Sequence, residues 1–379
     1  MENNNSVCFA EEILKIEQIA GADNILLATC KGWTSVIKKD QFKIGDYVVC
    51  ITTDAVVPLA VATTFDITNY LRHRKSEGLY CVRTIKLKGV YSECLLLPTT
   101  YLNKPSKVKP GDNLSEELGI YKYEPPERII TDSKGVKHKY HQNPNFHKYT
   151  KFPNLKNVPD IFEENEQVIV SEKIHGTNAR YGIVRKAKIT LWDKIKKFFG
   201  NEWVEYEYVY GSHNVEKGSD SQGFYSTDIW KEIADKYNIK RLLWNYVKTQ
   251  QVPESIGNGF IIYGEIYGPG VQGEAYSYGL KEKDIKVFDI KFNDIYLTYD
   301  QVKYLLLDDL YIPMVEYHYD NWNNDTIFLN HVKDRFINNT KVPHEGVVVR
   351  TNEIDPRIAK IINPDYHIYA EKHNVPDSH

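Results

Sequence analysis

The sequence predicts an α+β protein in which a small β-barrel precedes a larger domain that mixes sheets and helices. Residues 6 to about 120 break into short β-rich runs separated by glycine turns, with no long helical period between them. Residues 121–159 are polar and carry Pro125-Pro126, the composition of a connection. Residues 160–379 alternate apolar strand patterns with capped helical ones. The expected organisation is a barrel over 1–120, suited to nucleic acid, a linker over 121–159 and the larger domain over 160–379.

Within the barrel region the strand-like runs are Ile13–Ile19, Ile25–Cys30, Thr34–Ile37, Tyr47–Thr52, Leu79–Lys86 and Cys94–Leu97, parted by Gly21-Ala22-Asp23, Gly32, Lys43-Ile44-Gly45-Asp46 and Lys88-Gly89. A turn such as Lys43–Asp46 feeding the alternating Tyr47-Val48-Val49 is common in OB-like barrels. Late in this region Arg72, His73, Arg74, Lys75, Arg83, Lys86 and Lys88 cluster around Tyr80 and Tyr91. That mixture suits phosphate tracking with base stacking, and it equally describes a solvated charged face.

Composition narrows the function classes. A chain of 379 residues that is 42% hydrophobic and 26% charged can build more than one core. It contains no run of about 18 apolar residues, the length that spans a bilayer. Met1-Glu2-Asn3-Asn4-Asn5 lacks the basic start of a targeting peptide. A cytoplasmic protein, or one of the host cytoplasm if the source is viral, with no membrane contact is the expectation. The formal charge of −3 leaves any affinity for nucleic acid to a local basic face. The cysteines, Cys8, Cys30, Cys50, Cys81 and Cys94, lie among apolar neighbours without metal-ligand spacing and read as reduced core thiols. The 28 tyrosines offer stacking surfaces, although an AT-rich genome explains most of them. In the linker, His138, His141 and His147 have no acidic or thiol partner spaced with them, which argues against a metal site there.

The larger domain is organised around Val168–Gly182. An apolar run ends in Glu172-Lys173-Ile174-His175, a Gly176-Thr177-Asn178 turn follows, and Ala179-Arg180-Tyr181 leads out. Two short strands joined around one lysine are expected. A lysine at the edge of an apolar sheet is partly desolvated, which favours the neutral amine and makes it a nucleophile towards phosphorus or a carbonyl. The plainer alternative is a surface lysine beside a hairpin.

Downstream, Leu191–Phe199 has Trp192, Ile195, Phe198 and Phe199 at helical spacing with lysines opposite, and predicts an inserted helix packed by its aromatic face. A minority reading puts its lysines on RNA. Helices are expected at Thr227–Tyr237, Arg241–Lys248 and Thr298–Leu307, capped at the first by Thr227 or Asp228 and at the last by Thr298. The strand Phe260–Gly268 carries Glu265, and a carboxylate there requires a partner unless it is an edge charge. Lys286–Ile290 is a strand with an aromatic, Phe288. His344-Glu345-Gly346 opens the apolar strand Val347-Val348-Val349, and Ala359-Lys360-Ile361-Ile362-Asn363 follows.

The string Glu172-Lys173-Ile174-His175-Gly176-Thr177-Asn178 resembles motif I, Lys-x-x-Gly, of the covalent nucleotidyltransferases, the polynucleotide ligases and messenger-RNA capping enzymes, in its RNA ligase form. Tyr208–Asn214, Phe260–Gly268, Lys286–Ile290, His344–Arg350 and Ala359–Asn363 resemble the later motifs of that superfamily in order. Through Gly21-Ala22-Asp23, Gly32-Trp33, Phe42–Asp46 and Leu95–Pro98 the front region resembles the OB domain of the Deinococcus-type ATP-dependent RNA ligases.

The resemblance implies an OB-fold barrel followed by an ATP-grasp-like nucleotidyltransferase domain of antiparallel sheets with flanking helices. It implies an ATP-dependent RNA ligase acting in RNA repair. Lys173 would accept AMP from ATP, AMP would pass to an RNA 5′-phosphate, and a 3′-hydroxyl would displace it. Lys360 and Glu345 join Lys173 as the catalytic set. The nucleotide would be held by Glu172, Lys173, Asn178, Arg180, Glu265, Phe288 and Lys360. Glu345 would hold Mg²⁺ or Mn²⁺, and Glu265 the ribose or a second ion. Arg180 would meet ribose or phosphate, and His175 and Asn178 would shape the turn. RNA ends, in a nicked duplex or an RNA–DNA hybrid, are the implied partners of a monomer. The commoner pattern has two alternating lysines in the last motif. Ile362 takes the second place here and, beside Ile361, reads as core. The rival readings are a non-catalytic OB-fold nucleic-acid-binding protein and a capping-type guanylyltransferase that uses GTP.

Overall fold

A computed structural model describes residues 6–75, 77–123, 142–220, 223–224, 228–249 and 253–375. Residues 124–141 of the expected linker, with His138 and His141, therefore lie outside the described residues. The chain divides into two compact units, Met1–Pro125 with Phe152–Glu163 and Ala359–Asn374, and Pro126–Lys151 with Glu164–Ile358 and Val375–His379.

In the first unit a five-stranded antiparallel sheet runs in the order Cys94–Pro98, Tyr47–Thr52, Cys8–Gln18, Ile25–Cys30, Trp33–Lys38. The long strand Cys8–Gln18 uses Cys8–Glu12 against Tyr47–Thr52 and, past an irregularity between Ile13 and Lys15, its second half against Ile25–Cys30. One strand thus serves two neighbours and bends the sheet, as a barrel corner requires. The two ends of the sheet approach each other: the Glu93 N–H donates to Thr34 O at 2.8 Å, and Ser35 Oγ to Cys94 O at 2.8 Å. The result is a nearly closed, OB-like antiparallel barrel. Its core gathers Phe9, Ile13, Cys30, Cys50, Cys94 and Leu96. All the cysteines are free and buried, in keeping with core thiols.

A second sheet of this unit orders Tyr121–Lys122, Ala55–Val56, Leu79–Cys81 and Arg72–Arg74. The basic cluster read from the sequence is partly engaged within the unit. Arg83 Nη1 donates to Glu371 at 3.1 Å, and Lys86 and Tyr91 reach Asp365 at 3.5 and 2.8 Å, both carboxylates belonging to the helix Pro364–His373. His73 stacks on Tyr80 at 4.5 Å.

The second unit holds two antiparallel sheets. In one, Gln167–Lys173 lies between Tyr317–Asn321 and Gly346–Arg350. The other has seven strands, in the order Gly223–Phe224, Glu216–Ser219, Tyr206–Gly211, Thr177–Arg185, Gly259–Tyr267, Asp284–Phe292, Ile295–Tyr296. The helices Ile229–Lys236 and Ile239–Thr249 bury Ile233, Leu243 and Val247 against Tyr181, Ile183 and Ile262 of that sheet. Asp228 caps the first of them, its side chain accepting from the Lys231 N–H at 2.8 Å. The third expected helix starts on a Thr298–Gln301 capping box, runs over Tyr299–Tyr304 and widens to a π turn at Leu305–Leu310. Residues 142–151, expected to be linker, pack on the seven-stranded sheet: Asn143 bonds Glu207, Glu216 and Arg185 O, and Phe146 and Tyr149 are buried.

Two expectations need correction. The expected Gly176-Thr177-Asn178 turn is displaced, and the hairpin of the plainer alternative does not form, because Gln167–Lys173 and Thr177–Arg185 pair into different sheets. The connection is Ile174-His175-Gly176, and Thr177 and Asn178 already belong to the outgoing strand. The helix Leu191–Phe198 forms, but it is not packed by its aromatic face: Trp192 is 71% exposed, Phe198 85% and Phe199 81%. Its buried residue is Asp193, which closes a capping box with Thr190 and accepts from Lys186 Nζ at 2.8 Å. Charge pairing and capping dock this helix, with its apolar arc outward.

Candidate active site

Lys173 ends its strand opposite Gly346, so antiparallel pairing sets it beside the residue before Gly346, Glu345. Lys173 Nζ is 2.5 Å from Glu345 Oε1, and the Glu345 side chain is 1% exposed. A carboxylate at that depth needs a cation or donors around it. The His175 ring, wholly buried against Tyr276, stands close by with Nδ1 3.5 Å from Glu345 Oε2. Successive residues of a strand face opposite ways, and Glu172 accordingly has a different partner, His344 Nδ1 at 2.9 Å. Burial alone would lower the pKa of His344, but the Glu172 carboxylate outweighs it and the net direction is up.

The corner that carries the lysine out of one sheet into the other is held at several points. The His175 N–H donates to Tyr278 Oη at 2.8 Å, and Gln272 Nε2 donates to Gly176 O at 2.7 Å. A Cβ built on Gly176 would stand 2.2 Å from Ile266 O and 2.9 Å from Glu265 Cγ, so only glycine lets the corner lie this close to the Gly259–Tyr267 strand. That approach brings Glu265 into the site. In register, Glu265 faces Asn178 across the strand pair.

Burial pushes the Glu265 carboxyl up to about 8; the Lys173 cation and the Gly176 N–H oppose the rise, and the Glu345 carboxylate adds to it. Asn178 Oδ1 is buried with no hydrogen-bond partner among the described residues. Such an acceptor fits a hydroxyl or amino group of a bound ligand.

Phe288 occupies an irregularity in the strand pairing: Tyr263 pairs Asp289 and Gly264 pairs Val287, leaving Phe288 as the extra residue. A bulge re-aims the side chain it carries. Phe288 packs beside Ile174 and Tyr267 and meets the Tyr149 ring edge-on at 5.0 Å. Next to it Asp289, wholly buried, accepts from Tyr149 Oη at 2.8 Å and pairs with Arg350 Nη1 at 2.9 Å. Burial raises the Asp289 carboxyl, and Arg350 and Tyr149 pull it back. This buried pair ties the strand of Phe288 to the strand that follows Glu345.

Arg180, expected at the ribose or phosphate, directs its donors elsewhere. Arg180 is 1% exposed; its Nε donates to Ser212 O at 2.8 Å, its Nη1 to Phe146 O at 2.7 Å, and its plane covers the Phe146 ring at 4.2 Å. Burial depresses it to about 10. Its donors hold the 142–151 segment to Ser212, just past the strand Tyr206–Gly211. Lys360 sits in the strand Ile358–Ile362, which from Ala359 on belongs to the first unit, and its N–H donates to Pro153 O at 3.0 Å. Ile362 is 9% exposed, consistent with a core position. His147, lacking an acidic residue nearby in sequence, has its Nδ1 3.2 Å from Asp294 Oδ1.

Sequence reasoning missed Tyr278, Gln272, Tyr149 and the Asp289–Arg350 pair, all contacts between residues far apart in the chain. Only Gln272 had a local signal, its place in the glycine-rich Gly268–Gly273 loop. For a divalent ion the donors on hand are Glu345 and Glu265. Among the described residues no group of three or more His, Cys, Asp or Glu side chains forms a ready cage. Two crowded carboxylates, one of them driven towards its protonated form, do fit an ion that completes its shell with water and phosphate oxygens, as Mg²⁺ commonly does.

Comparison with known proteins identifies a family and a fold. A family described as RNA ligase matches residues 166–362, and one described as an OB-fold domain matches residues 8–99. Among solved structures the chain is similar to Naegleria gruberi RNA ligase with PPi, at 23% identity and a TM-score of 0.71 over 98% of this chain and 99% of that one. A mutant of the Naegleria gruberi enzyme with ATP and Mn aligns at 23% identity and 0.70, over 97% and 99%. Another, with AMP and Mn, aligns at 23% and 0.71 over the same shares. At these identities the likeness is one of fold. A search of curated protein sequences finds no match.

Proposed function

The chain belongs to the RNA ligase family, and from that premise we propose that it is an ATP-dependent enzyme joining RNA 3′-hydroxyl and 5′-phosphate ends through a lysyl-AMP on Lys173. The observation that carries the assignment is the Lys173–Glu345 pair on a corner that Gly176 presses against Glu265. A single amine at a strand end, flanked by carboxylates and an acceptor without a partner, suits attack on a nucleotide's α-phosphate.

In the first step Nζ forms a bond to the α-phosphorus and the bond to the bridging oxygen breaks, with pyrophosphate leaving. Glu345 aims the amine and is the acceptor at hand for its proton. Asn178 Oδ1 takes a hydroxyl of the ribose, Glu265 stands beside it, and Phe288 lies on the adenine. Lys360 meets the phosphate, Glu172 fixes His344 and the start of the Glu345 strand, and Arg180 keeps the neighbouring strand and the 142–151 segment in place. When bound, Mg²⁺ or Mn²⁺, held by Glu345 with Glu265, neutralises phosphate charge, which is most of what phosphoryl transfer requires of a protein. The AMP then passes to an RNA 5′-phosphate, and a 3′-hydroxyl displaces it.

Functionally we read a barrel over 1–120 that grips RNA and a transferase over 160–379, with residues 142–151 of the connection packed on the transferase's seven-stranded sheet, in a chain working as a monomer in the cytoplasm on broken or nicked RNA. The test is incubation with α-labelled ATP and Mn²⁺. A covalent AMP label that survives denaturation and alkali but is lost in hot acid, as a P–N bond is, present on the wild-type chain and absent from Lys173→Ala, is the expected result. A label from GTP alone would replace the reading with a guanylyltransferase, and no label from either would leave a binding protein.

A further inference from the structure

We infer that the second unit carries an additional RNA-binding surface, separate from the nucleotide site, formed by the outward face of the helix Leu191–Phe198 and the cleft beside it. The inference rests on the ligase reading only for the choice of RNA as the natural polyanion.

Two observations meet at this place. The first is the inverted helix. Leu191, Trp192, Phe198 and Phe199 are each more than 70% exposed, while Asp193 and Lys197 fasten the helix to Lys186 and Glu205. Burying an apolar arc would ordinarily stabilise the fold, so a helix held by its polar residues leaves that arc available for another molecule. Lys194 and Lys196 flank the arc and point its preference to an anionic partner.

The second is a cleft of about 660 Å³ into which the chain runs directly after the helix. The Asn201 N–H at its rim donates to Lys196 O at 3.0 Å, and Lys186 on its wall is the residue that holds Asp193. Trp203 and Trp244 meet edge-to-face on its floor at 6.3 Å, and Lys248 lies over Trp244 at 5.4 Å. Lys186, Lys240, Arg241 and Lys248 line the cleft against one carboxylate, Asp220, which Lys240 occupies at 2.5 Å. Exposed cations beside indole rings, with Lys248 over Trp244, match a flexible strand that presents phosphates and bases in turn. Pairing with a second copy of the helix would bring Lys194 and Lys196 of one against those of the other.

The surface lies away from the nucleotide site. The strand Thr177–Arg185 runs between them, from Asn178 at the Lys173 corner to Arg185 next to Lys186, a span of roughly 20 Å or more at 3.3 Å per residue. RNA bound here is a strand held at a distance from the ends being joined.

The probe is a fluorescein-labelled single-stranded RNA with a 5′-hydroxyl, which cannot be adenylylated, and its binding to the full chain is followed by anisotropy without ATP across a salt series. Each lost phosphate contact should lower the slope of log K against log salt by about 0.7, so Arg241→Ala with Lys248→Ala should lower it by about 1.4. Trp192→Ala with Phe198→Ala, both at exposed positions, should weaken binding about 5-fold or more per stacked base. Thermal melting of each variant separates lost binding from lost folding.

Unchanged affinity and slope in both folded variants would overturn the inference. So would a loss confined to co-sedimentation with phosphatidylserine vesicles, which would make the face a membrane contact, or one confined to self-association in analytical ultracentrifugation. Failure of AMP labelling with this RNA binding intact would remove the ligase reading and leave the surface standing.

Discussion

Lys173 and Glu345, 172 residues apart in the chain, meet with Nζ 2.5 Å from Oε1 because their strands pair antiparallel and place Lys173 opposite Gly346. Lys173→Ala removes the nucleophile and should abolish AMP labelling and sealing. Lys173→Arg should be equally inactive, since a guanidinium keeps its proton. Retained labelling of either protein, read on a denaturing gel, would refute the assignment.

Glu345→Ala should lower the single-turnover rate of AMP transfer by about 10²–10³, the usual effect of losing one preorganised electrostatic contact. It leaves Lys173 and His175 without their shared carboxylate, so Glu345→Gln should recover folding without recovering rate. The comparison is a rapid-quench time course beside a melting curve for each variant.

Gly176→Ala tests the corner. Its Cβ would stand 2.2 Å from Ile266 O, a backbone atom that cannot rotate away. Relief by shifting the corner should destabilise the fold by about 1–3 kcal/mol, as overpacking does, and should slow adenylylation by moving Lys173 out of line. A Gly176→Ala enzyme with unchanged melting temperature and rate would show that the corner has slack.

Glu265 makes stability and metal binding depend on pH. Its folded pKa, about 8, is above the ordinary 4.5. Between those values the folded state binds more proton than the unfolded one, so without metal this group's contribution to stability is present below about 4.5 and is lost as pH rises through about 8. Each unit of the shift is about 1.4 kcal/mol. Glu265→Gln should flatten that decline. Wild-type protein should release protons on binding Mn²⁺ at pH 7, and the variant should release fewer. Calorimetry in buffers of different ionisation enthalpy measures the difference, and equal release from both would refute the shift.

Ile362→Lys tests the departure in the last motif. At 9% exposure Ile362 is a core position, and a lysine there is an unpaired buried charge, so the variant should melt lower without adenylylating faster. Lys360→Ala should slow AMP transfer by about 10²–10³. A stable, faster Ile362→Lys enzyme would make position 362 part of the pocket.

The sequence alone determined the longer elements and the order of the motifs. Period-two and helical patterns located the longer strands and four of the helices but not Pro364–His373, the caps at Asp228 and Thr298 marked two helix starts, and Lys173, Glu265, Glu345 and Lys360 were legible as isolated charges in apolar stretches. Those signals are local, set by side-chain alternation and backbone preference within a few residues. Which sheet each strand joins was decided only by the tertiary structure, because pairing partners lie far apart and a turn looks alike whether it closes a hairpin or crosses between sheets. That choice converted the Lys173 turn into a corner, set Glu265 behind it and recruited Tyr278 and Gln272. The same limit explains the helix Leu191–Phe198. Its amphipathic period is plain in the sequence, but period cannot say which face turns inward, and here Lys186 and Glu205, through Asp193 and Lys197, turned the polar side in.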